Sequence, residues 1–232
     1  MVEHTSRHYE QELQELREKI LLIGGIVEEM IASSMRAVIQ RDSALARKVI
    51  ESDFRVDAAE LEIDQQCLNI LALRQPAASD LRFITTALKI VTDLERIGDL
   101  AANIAERAIE LNEEPQLKPY IDIPRMGSAA AEMVHRALDA FVSRDPAQAR
   151  SVLAADDAVD QLNVQIFREL LTYMIEEPKT VGRAMRITFI AKYLERIADH
   201  ATNIGQMVIF MCEGRDVRHP GLKNAAENDE GD

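Results

Sequence analysis

Apolar residues recur every three or four positions along almost the whole chain, the spacing that lines one face of an α-helix. The first run goes from Tyr9 to about Gln40. Arg41-Asp42-Ser43 interrupts it, and Asp42 or Ser43 carries the short polar side chain that caps a helix N-terminus. A second run spans about Ala44 to Arg74 and stops at Pro76, which cannot continue a helix. A third starts at Ser79 or Asp80, each a candidate cap, and reaches about Asn112. Pro115, Pro119 and Pro124 mark a linker. Three more runs follow, at about Arg125–Ser143, Pro146–Ile175 and Lys179–Cys212, with Pro146 where a first-turn proline is tolerated. Beyond Glu213 the chain turns to Gly, Asn, Asp and Glu, so residues 214–232 read as a disordered acidic tail.

The second three runs repeat the first three. Met30–Asp57 aligns with Met133–Asp160 at a constant offset of 103 residues, and beyond that the offset falls to 100. Arg41-Asp42 matches Arg144-Asp145, and Asp53, Val56 and Asp57 match Asp156, Val159 and Asp160. The expected fold is all-α: two tandem three-helix bundles from an internal duplication, over residues 1–115 and 120–213. Helices of some 30 residues are about 45 Å long and pack antiparallel when short loops join them. The bundles are therefore elongated, either related by a pseudo-twofold axis or stacked in tandem.

One segment of the repeat carries chemistry. Leu94-Glu95-Arg96-Ile97-Gly98-Asp99 is followed by Asn103, and Leu194-Glu195-Arg196-Ile197-Ala198-Asp199 by Asn203. Residues at i and i+4 are neighbours on a helix face, so each Glu–Asp pair repels itself. The apolar stripe of the last helix runs through Ile187, Ile190, Leu194, Ile197, Ala201, Ile204, Val208 and Met211. Glu195, Asp199 and Asn203 fall on the opposite side, the two acids roughly 135° to 175° from its centre at 100° per residue. Asp156 and Asp160 lie on the shoulder of the preceding helix, about 60° to 100° off its stripe, as Asp53 and Asp57 do in the first unit. One acidic pair is ordinarily a solvated face. Pairs recurring at matching places raise the case for a bound cation, the alternative being that Arg96 and Arg196 neutralise the acids in ion pairs. Four carboxylates, with the Asn103 or Asn203 carbonyl beside them, offer only oxygen, which suits magnesium, manganese, calcium or an iron–carboxylate cluster, whereas zinc usually adds His or Cys.

Composition narrows the field. A net charge of −13 argues against a nucleic-acid surface, which needs a basic patch. No apolar run approaches a membrane span, and the polar first ten residues are no signal peptide, so the expected setting is the cytoplasm. Cys67 and Cys212 form no metal or redox motif and read as small buried hydrophobes. His4 and His8 have ligand spacing near a fraying end, and His219 lies in the tail. Gly24-Gly25 reads as a close helix approach or a kink. There is no Gly-rich phosphate loop, no nucleophile elbow, and no arginine cluster that stands out at a helix N-terminus.

These residues also carry a family resemblance. Over nearly its full length the chain resembles the PhoU family, accessory proteins of bacterial phosphate signalling. The matching stretches are Gln75-Pro76-Ala77-Ala78-Ser79-Asp80-Leu81-Arg82, Asp93 through Asp99, and Leu194 through Asp199, with Gly24-Gly25 and Tyr173-Met174 in support. The second copy departs by Ala198 in place of Gly98 and by a shorter connection near Pro178. The resemblance implies PhoU-like, spectrin-like three-helix bundles, commonly homodimeric, with multinuclear metal clusters. Carried over by motif, the ligands are Glu95, Asp99, Glu195 and Asp199, with Asp53, Asp57, Asp156 and Asp160 as the facing set. The ions implied are divalent or ferric: magnesium, manganese, iron or zinc. It implies a role rather than a reaction. Such proteins link the ATPase subunit of the phosphate ABC transporter to a phosphate-sensing histidine kinase, repress the phosphate-starvation response and limit phosphate uptake. They would work in the cytoplasm, transiently at the inner face of the membrane through these partners.

Two other readings compete. A di-metal carboxylate enzyme of ferritin type needs two Glu-x-x-His motifs, and the chain has one, Glu132 with His135. A structural helical module without metal is the other.

Overall fold

The two places where the sequence repeats Arg-Asp are built alike. Arg41 (φ 57°) and Arg144 (φ 52°) adopt the left-handed conformation that ends a helix. The next N–H turns back onto the finished helix, Asp42 to the Ala37 carbonyl and Asp145 to that of Ala140, both at 3.0 Å. The same Asp then caps the next helix: Asp42 accepts from the N–H groups of Ala44 and Leu45, Asp145 from those of Ala147 and Gln148.

The computed structural model describes residues 2–218, with side chains from Arg7 onward. The helices are α1 (Val2–Gln40), α2 (Ser43–Arg74), α3 (Ala78–Asn112), α4 (Asp122–Ser143), α5 (Pro146–Leu153), α6 (Asp156–Glu176) and α7 (Val181–Glu213), with a 3₁₀ turn at Pro178–Thr180. The expected tail beyond residue 218, with His219, lies outside the described residues. So does the side chain of His4. No helix among the described residues is long and apolar enough to cross a membrane.

Helices α1–α3 form one bundle and α4–α7 the other, and a single apolar core runs through both. The bundles lie side by side. α3 packs along α7, and α1 packs on α4. Each of these pairs joins two repeat-equivalent helices, which is what a pseudo-twofold axis does. The glycines show the symmetry in detail. A Cβ on Gly24 would sit 2.6 Å from Leu138 Cδ1, and one on Gly127 would sit 2.8 Å from Met35 Cε. Gly24 and Gly127 are repeat partners, as are Met35 and Leu138, so the two contacts are images of each other. Gly24 thus serves close approach, and α1 runs through it unbroken.

Three expectations are corrected. The run Pro146–Ile175 is two helices, not one. It breaks at Ala154-Ala155, where the N–H of Ala155 bonds back three residues to Val152 at 3.0 Å. Opposite the break α5 presses onto α7 at Gly205, where a Cβ would meet Leu153 Cδ1 at 2.8 Å and the Ala149 carbonyl oxygen at 3.2 Å. The cap residue of α3 is Ala77, without a side-chain bond, rather than Ser79 or Asp80. Asp80 instead accepts a hydrogen bond from the Tyr9 hydroxyl at 3.0 Å. Cys67 is buried as expected, but Cys212 is only half-buried.

Candidate metal centre

The helix hairpins bring the acidic pairs together. In the first unit, α2 supplies Asp53 and Asp57 and α3 supplies Glu95 and Asp99. Burial, then the charges of Asp99 and Asp57, push Asp53 up to about 6. Burial, then Asp99, Glu60 and Asp57, push Glu95 up to about 7, which Arg96 only partly offsets. Glu60 is also raised, chiefly by burial. Gly98 makes room for this approach: a Cβ there would meet Val56 Cγ1 at 3.3 Å and Asp53 Oδ1 at 3.4 Å. Asn103 is half-buried one turn beyond Asp99 on α3.

The second unit repeats the arrangement. Asp156 opens α6, Asp160 follows one turn on, and Glu195 and Asp199 face them from α7. Burial raises Asp156, and the charges of Asp160 and Asp199 add to it most. Burial also raises Asp199, reinforced by Glu195 and Asp160 and opposed by Lys192 and His200. Lys192 forms an ion pair with Glu195. Asn203 donates across the seam to Asp93 of α3 at 3.4 Å. The same Asp93 oxygen lies 2.8 Å from His200 Nδ1.

Two orphaned atoms recur at equivalent places. Asp53 Oδ1 and Asp156 Oδ1 are both buried without a hydrogen-bond partner. Buried carboxylate oxygens are normally satisfied, so a matched pair of exceptions calls for a ligand. Among the described residues no three His, Cys, Asp or Glu side chains are already drawn in as a cage for an ion. The donor set is nonetheless all oxygen, with a carboxylate set facing across each hairpin. The residues fit a hard cation.

Sequence reading missed two members of this setting, Glu60 and Lys192. Both signals were present. Asp53, Asp57, Glu60 and Asp64 form an i, i+4, i+7, i+11 stripe, and Lys192 stands one turn before Glu195 where Glu95 has Thr92. The lone Glu-x-x-His takes no part. His135 Nδ1 lies 3.0 Å from Glu28 of α1 and Nε2 lies 3.5 Å from Asp139, on an exposed face.

The PhoU domain family model matches residues 20–108 and again 123–208. The chain belongs to the PhoU family. The two matches restate the duplication: their starts are 103 residues apart and their ends 100. A phosphate-specific transport system accessory protein PhoU homolog of Pseudomonas aeruginosa is 43% identical over all of this chain and 98% of its own. Another from Aquifex aeolicus is 43% identical over 94% of this chain and 98% of its own. The crystal structure of PhoU from Pseudomonas aeruginosa superposes with a TM-score of 0.87, covering 89% of this chain and 100% of that one. The phosphate transport system regulatory protein PhoU from Streptococcus pneumoniae, 29% identical, gives 0.85 over 90% and 99%. This PhoU chain therefore shares the family's fold from α1 through α7.

Proposed function

We propose that this PhoU protein is a non-catalytic accessory and regulator of phosphate-specific transport that acts by binding. It links the ATPase subunit of the phosphate ABC transporter to a phosphate-sensing histidine kinase, restrains the phosphate-starvation response and limits uptake. It works as a homodimer at the cytoplasmic face of the membrane, reached through these partners. The names of its full-length relatives support the transport role. The metal part of the reading is carried by one observation, the pair of facing acid sets with an orphaned oxygen at the same place in each.

Asp53, Asp57, Glu95 and Asp99 would hold one set of ions, and Asp156, Asp160, Glu195 and Asp199 the other. A bound divalent or ferric ion supplies positive charge that clamps α2 to α3 and α6 to α7. The protein's own residues do the rest. They present a rigid helical surface whose shape depends on the clamp. The test is affinity for the purified ATPase subunit and for the kinase cytoplasmic portion, before and after metal removal by chelation. Loss of at least about tenfold in affinity, roughly 1.4 kcal/mol, with helicity retained is expected. Equal affinity with and without metal contradicts the proposal.

A further inference from the structure

The signature stretch Gln75–Arg82 plays no part in the acid sets, yet it ends beside a concentration of positive charge. Two arginines from separate elements flank the Phe83 ring, and one of them shares a pocket with a third. The Arg17 guanidinium carbon of α1 lies 5.3 Å from the Phe83 ring centroid, and that of Arg144, at the end of α4, lies 5.8 Å from it. Phe141 stacks on the same ring, with centroids 5.8 Å apart. Arg82, one residue before Phe83, lines a pocket of about 310 Å³ together with Ser79, Phe83, Arg144, Met211 and Cys212.

None of the three guanidinium groups is paired with a carboxylate among the described residues. The ion pairs of the chain lie elsewhere, and Arg17 gives only one N–H, to Gln14 at 3.2 Å. Arg17 Nε and Arg82 Nε are buried with no acceptor. Nearby acids are occupied. Asp80 holds the Tyr9 hydroxyl, Asp145 caps α5, and Glu213 grips Arg150 with both oxygens at 2.8 and 2.7 Å. Glu12 likewise holds Arg74 with both oxygens. The Ser79 hydroxyl points at Asp80 at 3.4 Å. Burial and then the charge of Arg144 hold Arg17 below the usual arginine range, which marks the two as crowded.

The repeat sharpens the point. Arg41, the partner of Arg144, spends its guanidinium on the carbonyls closing α3, at 3.1 Å from Leu111 O and 3.0 Å from Asn112 O. Arg144 makes no such bonds: its backbone N–H returns to Ala140 O and its carbonyl accepts from Cys212 Sγ at 3.4 Å, while its guanidinium lies over the Phe83 ring. In a chain of net charge −13, arginines left close together without acids are open to an anion, which would offset their charge. Planar guanidinium forks match the oxygens of a tetrahedral phosphoryl group. Pockets for small ligands begin at about 300 Å³, so this one takes a small anion with some of its water.

We infer that Arg82 and Arg144, with Arg17 beside them on the Phe83 ring, form a binding site for a phosphoryl oxyanion where α1, α3 and α4 meet. The inference stands on the arginines and does not depend on the metal reading. The test is calorimetric titration of the full chain in a chelating buffer of low ionic strength, so that no metal mediates binding. The probes are inorganic phosphate and a nucleoside monophosphate. One saturable site per chain is expected, weakened at least about tenfold in Arg82→Gln and in Arg144→Gln, and unaltered in Arg168→Gln on α6. Binding of phosphate alone assigns the free anion. Binding of the monophosphate as well assigns a phosphoryl group on a carrier. Should a glutamine variant fail to fold, Arg82→Lys and Arg144→Lys keep the charge, lose the fork and are expected to bind more weakly. No saturable heat with either probe, or equal affinity in wild type and folded variants, overturns the inference.

Discussion

The two acid sets of this protein descend from one sequence, yet the first crowds its charges harder than the second. In the first unit α2 runs unbroken past Asp53, and Gly98 lets that aspartate close on α3. Glu60 adds a further carboxylate, and the position one turn before Glu95 is the neutral Thr92. In the second unit Ala198 replaces Gly98, Asn163 stands one turn past Asp160 where Glu60 follows Asp57, and Lys192 pairs with Glu195. The second set has Lys192 paired directly with Glu195, whereas the first has only the partial offset of Arg96 and leaves the rest to be supplied from outside. Duplication has kept the frame and let the electrostatics diverge.

The largest expected break in this comparison comes from emptying the stronger site. Glu95→Ala/Asp99→Ala removes both proposed α3 ligands, and binding of manganese at the first set should fall by at least about 100-fold, the upper end of what even outer-shell losses cost. The same double change at Glu195 and Asp199 should cost less, since Lys192 is released. Metal titration of both variants checks this, and equal losses would erase the distinction.

The glycines give the next effect. Gly205→Ala drives a methyl against Leu153 and a backbone oxygen that cannot rotate away, and should destabilise by about 1–3 kcal/mol. Gly98→Ala meets side-chain atoms at 3.3 Å or more and gains helix propensity, so its cost should stay below about 1 kcal/mol. Urea denaturation ranks the pair, and the reverse order would show that the close approach lies in the first unit.

Lys192→Thr converts the second set toward the first. Its manganese affinity should rise about tenfold, about 1.4 kcal/mol, while apo stability drops as Glu195 loses its partner. Calorimetry on the Lys192→Thr chain reads both sites at once.

The smallest effect is a pH profile. In the metal-free chain Asp53 titrates at about 6 and Glu95 at about 7, both above ordinary unfolded values. Between the two limits the folded state binds more protons than the unfolded state, so stability is lost as pH rises. The melting temperature of apo protein should fall between about pH 5 and about pH 8, and manganese should restore more of it at the upper end. A melting temperature that rises over that interval would mean the acids are already neutralised by the fold.

Much of this was legible in the residues. Apolar periodicity marks the helices to within a few residues, because amphipathic faces must be buried to form. Asp42 announces its cap by its place after a run of 3.6-residue period. The doubled Glu-x-x-x-Asp announces the acid sets. What escaped depends on contact between distant segments. The break at Ala154-Ala155 has no local proline or glycine, and its counterpart is Gly205 some fifty residues on. The helix starts before Ser79 and Asp80, and Asp80 is held by Tyr9, a residue some seventy positions away. The arginine cluster is invisible along the chain because Arg17, Arg82 and Arg144 come from three helices, and only the seam between the units gathers them.

The most direct test of the central claim is anomalous scattering at the manganese edge from crystals grown with excess manganese. The account predicts peaks between Asp53/Asp57 and Glu95/Asp99 and between Asp156/Asp160 and Glu195/Asp199, with the first more fully occupied. Facing carboxylates that stay splayed and hydrated, with no peak at either place, would contradict it.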